Sequence, residues 1–160
     1  MNYGKAFIGG MVGGAVMSAL MAMARLMGMP VNLEMMLGTM IGLAPGTTTW
    51  IIGFVMHLMI SGLIALAYGA GFEYVTHRAD WKTGVAFSIL HILVAGVFMG
   101  MVPMMHPLIP EQMPAPGAFM SNMGMMGVAA EVMLHLIYGA IVGAMYGPVR
   151  HAPVGRNVAA

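Results

Sequence analysis

Three histidines lie near the middle of long apolar segments of this sequence. His57 and His135 fall at the same place in two similar stretches, FVMHLMISGLIALAYG (54–69) and VMLHLIYGAIVGAMYG (132–147), and His91 lies in a third segment. If the stretches are helical, each imidazole of the similar pair lies about 16 Å from the Tyr-Gly ending, at about 1.5 Å per residue. Because a bilayer core is about 30 Å thick, the three histidines are predicted to form one layer at its midplane.

An acidic residue accompanies one of these histidines. Glu131 lies one helical turn before His135, whereas Gly53 takes that place before His57. A carboxylate inside a membrane is costly unless it is paired, binds an ion or takes part in proton movement. The alternative is that the rings hydrogen-bond one another or backbone carbonyls and only hold the helices together. The candidate metal ligands of this layer are His57, His91, His135 and Glu131, with Met17 and Met21 as secondary donors.

Methionine is the other unusual feature of the sequence. There are 23 methionines in 160 residues, and many fall in the stretches 21–40 and 99–126, between apolar segments. Thioether sulfur is a soft ligand that favours Cu(I) over hard ions. The alternative is that methionine serves as a flexible apolar filler. Within the cluster MVPMMH, the candidate ligands are Met101, Met104, Met105 and His106.

The composition indicates an integral membrane protein. The chain is 60% hydrophobic and 7% charged, whereas soluble domains carry about a quarter charged residues. A net charge of +1 with scattered basic residues gives no support for nucleic-acid binding. The absence of cysteine excludes disulfides and thiolate nucleophiles. No catalytic triad, phosphate loop or paired carboxylates are found, so we do not expect an enzyme.

The expected fold is all-α, a single membrane domain over residues 1–160. An echo between GAVMSALM (14–21) and GVAFSILH (84–91) predicts a four-helix bundle built from two repeated helical hairpins. Glycines at four-residue spacing predict close helix packing. A second interpretation of the first segment is a cleaved signal peptide, because a lysine precedes an apolar run that ends in AMA. The predicted spans are about 6–28, 48–70, 82–102 and 122–147, followed by a cytoplasmic tail at 148–160.

The basic residues predict the orientation. Five of them lie on the side shared by the two ends and the middle loop, and only Arg25 lies on the other side. By the positive-inside rule, both termini are expected in the cytoplasm of a bacterial inner membrane. The expected partners are membrane lipid and either further copies of the chain or a larger membrane complex. The five residues are Lys5, Arg78, Lys82, Arg150 and Arg156.

The stretches GGMVGGAVMSALM, MHLMISGLIALAYG and LHLIYGAIVGAMYG resemble small four-helix bacterial inner-membrane proteins of unknown function, a broad group distantly similar to YagU. The resemblance covers most of residues 8–147. It implies a four-helix membrane fold and no established activity. The methionine content is similar only in kind to the methionine motifs of copper-permeation proteins.

Three functions are consistent with these patterns. In the first, the methionines of the stretches 21–40 and 99–126, together with His106, capture Cu(I) outside the membrane. They pass it to the midplane histidines, for binding or transport. In the second, the protein is an electron-transfer subunit associated with quinone or with haem b, and two of the midplane histidines ligate the haem iron. In the third, it is a structural accessory subunit of a larger membrane complex. The candidate haem ligands are His57, His91 and His135.

Overall fold

The computed structural model describes residues 1–30 and 32–149, and within them the chain is all-α, with no strand. Four helical segments are long and apolar enough to span a membrane, the number that the sequence predicts. The predicted tail lies largely outside the described residues. The helices are α1 (Tyr3–Leu26), α2 (Leu33–Met40), α3 (Thr47–Gly71), α4 (Trp81–Met105) and α5 (Gly124–Tyr146), with a π-helical turn at Phe72–Thr76 and a 3₁₀ segment at Ala118–Met123.

Side-chain caps fix where three of these helices begin. Asn2 and Asn32 accept hydrogen bonds from backbone N–H groups in the first turns of α1 and α2. Asp80 does the same for α4, accepting from the Thr83 N–H at 2.8 Å. That hydrogen bond, together with the nearby Arg78 guanidinium, holds the pKa of Asp80 below its usual range. Asp80 therefore stays ionised next to the positive end of the α4 dipole, where a negative charge is favourable.

The long helices pack through small residues. Helix α1 packs along both α3 and α5, α4 packs along α5, and α3 has little contact with α4. Where α1 crosses α3, a side chain at Gly10 would collide with the Ser61 carbonyl and with Ala65. Where α4 crosses α5, one at Gly84 would collide with the Gly139 carbonyl. Close backbone approach of this kind substitutes for the hydrophobic force that is absent in lipid.

The short helix α2 lies between the first two predicted spans. It packs on the start of α3, where the Glu34 carbonyl leaves no space for a side chain at Gly53. A side chain at Gly38 of α2 would likewise collide with the backbone of Thr49. The Glu34 side chain is fully buried and pairs with Arg25 of α1, Nη1 to Oε2 at 3.0 Å. The sequence analysis did not predict α2, because this short helix depends on contacts with residues outside it and not on a long apolar run.

Candidate functional site

Two of the three predicted midplane histidines are in contact. The rings of His91 on α4 and His135 on α5 meet edge to face, with centroids 4.6 Å apart. His57 makes a different contact, because its Nδ1 is 2.8 Å from the Ser18 hydroxyl of α1. It is close enough to His135 and Glu34 to interact with them electrostatically. The structure thus divides the predicted layer into a histidine pair and a separate histidine.

The hydrogen bond of His135 fixes which of its nitrogens is free. Its Nδ1 lies 2.7 Å from the backbone carbonyl of Glu131. A carbonyl oxygen can only accept, so Nδ1 carries the hydrogen of the neutral ring and Nε2 holds the lone pair. Imidazole in this state is a metal ligand through Nε2.

Two tyrosines complete the surroundings of the histidine pair. The Tyr68 hydroxyl lies 3.1 Å from Nδ1 of His91, and the Tyr138 ring packs 5.3 Å from the His91 ring. Tyr138 donates its own hydroxyl to the backbone carbonyl of Ser61 on α3. The sequence analysis used Tyr68 only as part of the Tyr-Gly ending of its segment. Tyr68 follows His57 by 11 residues and Tyr138 follows His135 by 3. Neither spacing indicated that these tyrosines would meet His91, because that contact depends on which helices are neighbours.

Two buried carboxylates lie above this layer, and the sequence identified only one of them. Glu131 is 2% exposed, and neither of its carboxylate oxygens has a hydrogen-bond partner among the described residues. Glu34 pairs with Arg25 through one oxygen, while its Oε1 has none. The available signal for Glu34 was an acidic residue in an otherwise apolar stretch. That signal indicates neither the burial of Glu34 nor its partner.

His106 does not offer a free nitrogen in the outer cluster. Its Nε2 lies 2.9 Å from the backbone carbonyl of Met36 and 3.1 Å from the Thr39 hydroxyl. Its Nδ1 accepts from the Leu108 N–H. His106 therefore links the segment after α4 to α2 by hydrogen bonds. The sequence did not predict this structural role. Among the described residues, no group of three or more histidine, aspartate or glutamate side chains is arranged to hold a metal ion.

The predicted methionine ligands are divided between the surface and the interior. Met101, Met104 and Met105 lie on the exposed last turns of α4, and Met104 is 83% exposed. Their spacing puts all three on one helical face. Met17 and Met21 are buried in the interior cluster that also contains Tyr138. The secondary methionine donors are therefore core residues of the bundle, whereas Met101, Met104 and Met105 are not.

A different set of methionines surrounds a cleft of about 400 Å³ between the end of α1 and the beginning of α5. The side chains that line it carry no nitrogen or oxygen atom, so thioether sulfur is the only side-chain donor there. The sequence analysis noted both methionine-rich stretches but could not bring them together. The lining methionines are Met27, Met29, Met123, Met126 and Met133.

The haem alternative meets a geometric obstacle at the histidine pair. A bound haem lies between its two axial ligands, whereas the rings of His91 and His135 contact each other directly. Haem ligation by this pair would require α4 and α5 to separate at their close crossing. The haem and quinone interpretations remain predictions from the sequence.

The chain belongs to a family of unknown function, DUF6789, whose model matches residues 1–156. This agrees with the predicted resemblance to uncharacterised proteins, and nothing links the chain to YagU. Neither the curated proteins nor the solved structures gave a match.

Proposed function

We propose that this family member binds a soft monovalent metal ion, Cu(I) or the chemically similar Ag(I), in the methionine-lined cleft. The observation that carries the proposal is the lining of the cleft, in which five thioethers are the only side-chain donors. We call this space, lined by Met27, Met29, Met123, Met126 and Met133, the thioether cleft.

The chemistry of the thioether cleft favours a soft ion over a hard one. Ca²⁺, Mg²⁺ and Zn²⁺ take oxygen, nitrogen or thiolate ligands, and the side chains of the cleft supply none of these. Thioether sulfur binds Cu(I) without losing a proton. Methionine has three rotatable side-chain bonds, so exposed residues such as Met27, which is 78% exposed, can turn their sulfurs inward.

Replacing Met27, Met126 and Met133 together by leucine should weaken Cu(I) or Ag(I) binding by at least about tenfold, the effect of losing about 1.4 kcal/mol of ligation. Leucine keeps the volume and removes the sulfur. Binding is measured by competition with a Cu(I) chelator, using protein purified in mild detergent under reducing conditions.

The matched control replaces Met101, Met104 and Met105, the methionines that the sequence alone favours. This control should bind Cu(I) as the unchanged protein does. Equal affinity of all three proteins would overturn the proposal and leave the methionines as packing residues. An intense haem absorption band in the purified protein would favour the electron-transfer alternative, and a metal-free, colourless protein would favour an accessory subunit.

We also propose that the thioether cleft faces the outside of a bacterial inner membrane, with both termini in the cytoplasm. The distribution of the basic residues supports this orientation, because Lys5, Arg78 and Lys82 lie at the end of the bundle opposite to the cleft.

Single cysteines introduced at Val75 and at Glu111, both exposed, should test this orientation. A thiol reagent that does not cross membranes should label the cysteine at position 111 in intact cells and reach the one at position 75 only after the cells are lysed. The protein contains no cysteine of its own, so background labelling is absent. Labelling of both positions in intact cells would contradict the proposed topology.

We further propose that the bundle arose from two copies of one hairpin, α1 with α3 and α4 with α5. Equivalent contacts support this origin: Gly14 meets Ser61 in the first hairpin, and the corresponding Gly84 meets Gly139 in the second. The copies have since diverged, because α1 packs along α5 whereas the equivalent α4 has little contact with α3.

A further inference from the structure

The carboxyl group of Glu131 is the least compensated polar group among the described residues. It is nine-tenths buried or more, and both of its oxygens are without a partner. Glu34, the other buried carboxylate, has Arg25 as a counter-charge. A buried carboxylate with no partner is costly, and inside a membrane segment such a residue points to a functional site.

The helices around Glu131 supply no cation for it. Helix α4 contains only Lys82, in its first turn, and His91 as ionisable groups, and α3 contains only His57 and Tyr68. Helix α1 contains Arg25, which is engaged by Glu34, and the 3₁₀ segment contains no ionisable group. The remaining ionisable groups of α1, Tyr3 and Lys5, lie in its first turn at the opposite end of the bundle.

One candidate nitrogen ligand lies one helical turn from this carboxylate. His135 follows Glu131 by one turn on the same face of α5, and its Nε2 holds the lone pair because Nδ1 donates to the Glu131 carbonyl. In the antiparallel crossing of α4 and α5, His91 meets His135, so the small residue Ala95 is level with Glu131. The helix opposite thus carries only a small side chain at this level.

We propose that Glu131 and His135 form a second, interior binding site for the soft monovalent ion, with a carboxylate oxygen and Nε2 as its protein ligands. This inference rests on the proposed function, because the thioether cleft is what admits a soft ion. A single carboxylate neutralises one positive charge, so a monovalent ion makes the interior site neutral, whereas a divalent ion would leave a net charge in the membrane.

The two sites lie at the same depth of the bundle. Ala129, Ala130 and Met133 line the thioether cleft, and Glu131 comes between them in sequence but is turned to the buried face of α5. An ion held by the thioethers is therefore separated from the carboxylate by the width of one helix that carries small side chains at this level. His57 is not a ligand of this site, because it lies on the α1 side with Ser18.

Counting the Ag(I) ions retained by the purified protein tests the inference. Glu131→Gln and His135→Asn should each retain one ion fewer per chain than the unchanged protein, and His57→Asn, the matched control from the equivalent helix, should retain the full number. X-ray absorption of the bound metal should lose its nitrogen and oxygen neighbours in the first two variants and keep its sulfur neighbours.

The variants separate this inference from the proposed function. Loss of the sulfur-ligated ion in the methionine-to-leucine protein, with no change in Glu131→Gln or His135→Asn, would overturn the interior site alone. An ion with only nitrogen and oxygen neighbours in the unchanged protein would overturn the thioether cleft and leave the interior site standing. If Glu131→Gln does not fold, the comparison of His135→Asn with His57→Asn decides the matter by itself.

Discussion

Replacing Arg25 by alanine is expected to destabilise the folded protein by about 3–5 kcal/mol, the usual cost of removing one partner from a buried ion pair. The reason lies in Glu34, which is 0% exposed and whose Oε2 lies 3.0 Å from Arg25 Nη1. Without the guanidinium, the carboxylate would be left in an apolar environment with no counter-charge. Thermal unfolding in mild detergent, followed by circular dichroism, measures the effect.

A double variant makes this prediction sharper. Replacing both partners of a buried ion pair by apolar residues is often neutral or stabilising. The protein that carries Arg25→Met and Glu34→Met should therefore recover most of the stability lost in Arg25→Ala. Lys82→Ala, which removes an exposed cation at the other end of the bundle, is the control and should unfold like the unchanged protein. An Arg25→Ala protein of unchanged stability would contradict the prediction.

The ion pair also illustrates what the sequence could not provide. The four long helices were predictable because each is an apolar run long enough to cross a bilayer, a property of neighbouring residues. Helix α2 has only 8 residues, and its position depends on contacts of Glu34 and Gly38 with α3. Such contacts join residues that are distant in sequence, and no local pattern indicates them.

The candidate site was likewise predictable only in part from the sequence. Residue counts along regular helices predicted a common depth for His57, His91 and His135, but they could not predict the partners of these residues. That His91 meets His135 while His57 meets Ser18 depends on the order of the helices around the bundle. The cluster at residues 101–106 was identified because its three methionines lie within five residues of one another. The thioether cleft instead joins residues 27–29 to residues 123–133.

The close crossing of α4 and α5 gives the second large effect. A methyl group added at Gly139 would collide with the Ser88 hydroxyl and with the backbone carbonyl of Gly84. A backbone atom cannot turn aside as a flexible side chain can, so the two helices would have to move apart. Gly139→Ala should therefore destabilise the protein at the upper end of the range of about 1–3 kcal/mol that overpacking costs.

Gly9→Ala is the matched control for Gly139→Ala, because both place alanine in the interior of a long helix. At Gly9 the added carbon would lie 3.4 Å from Met145, an ordinary van der Waals contact. Since alanine favours the helix over glycine by about 1 kcal/mol, Gly9→Ala should be neutral or stabilising. Comparing the unfolding temperatures of the two variants removes the contribution of helix propensity and leaves that of the crossing.

A Gly139→Ala protein as stable as Gly9→Ala would show that α4 and α5 do not approach this closely. The contact between His91 and His135, which lies one turn beyond the crossing, would then lose its structural basis.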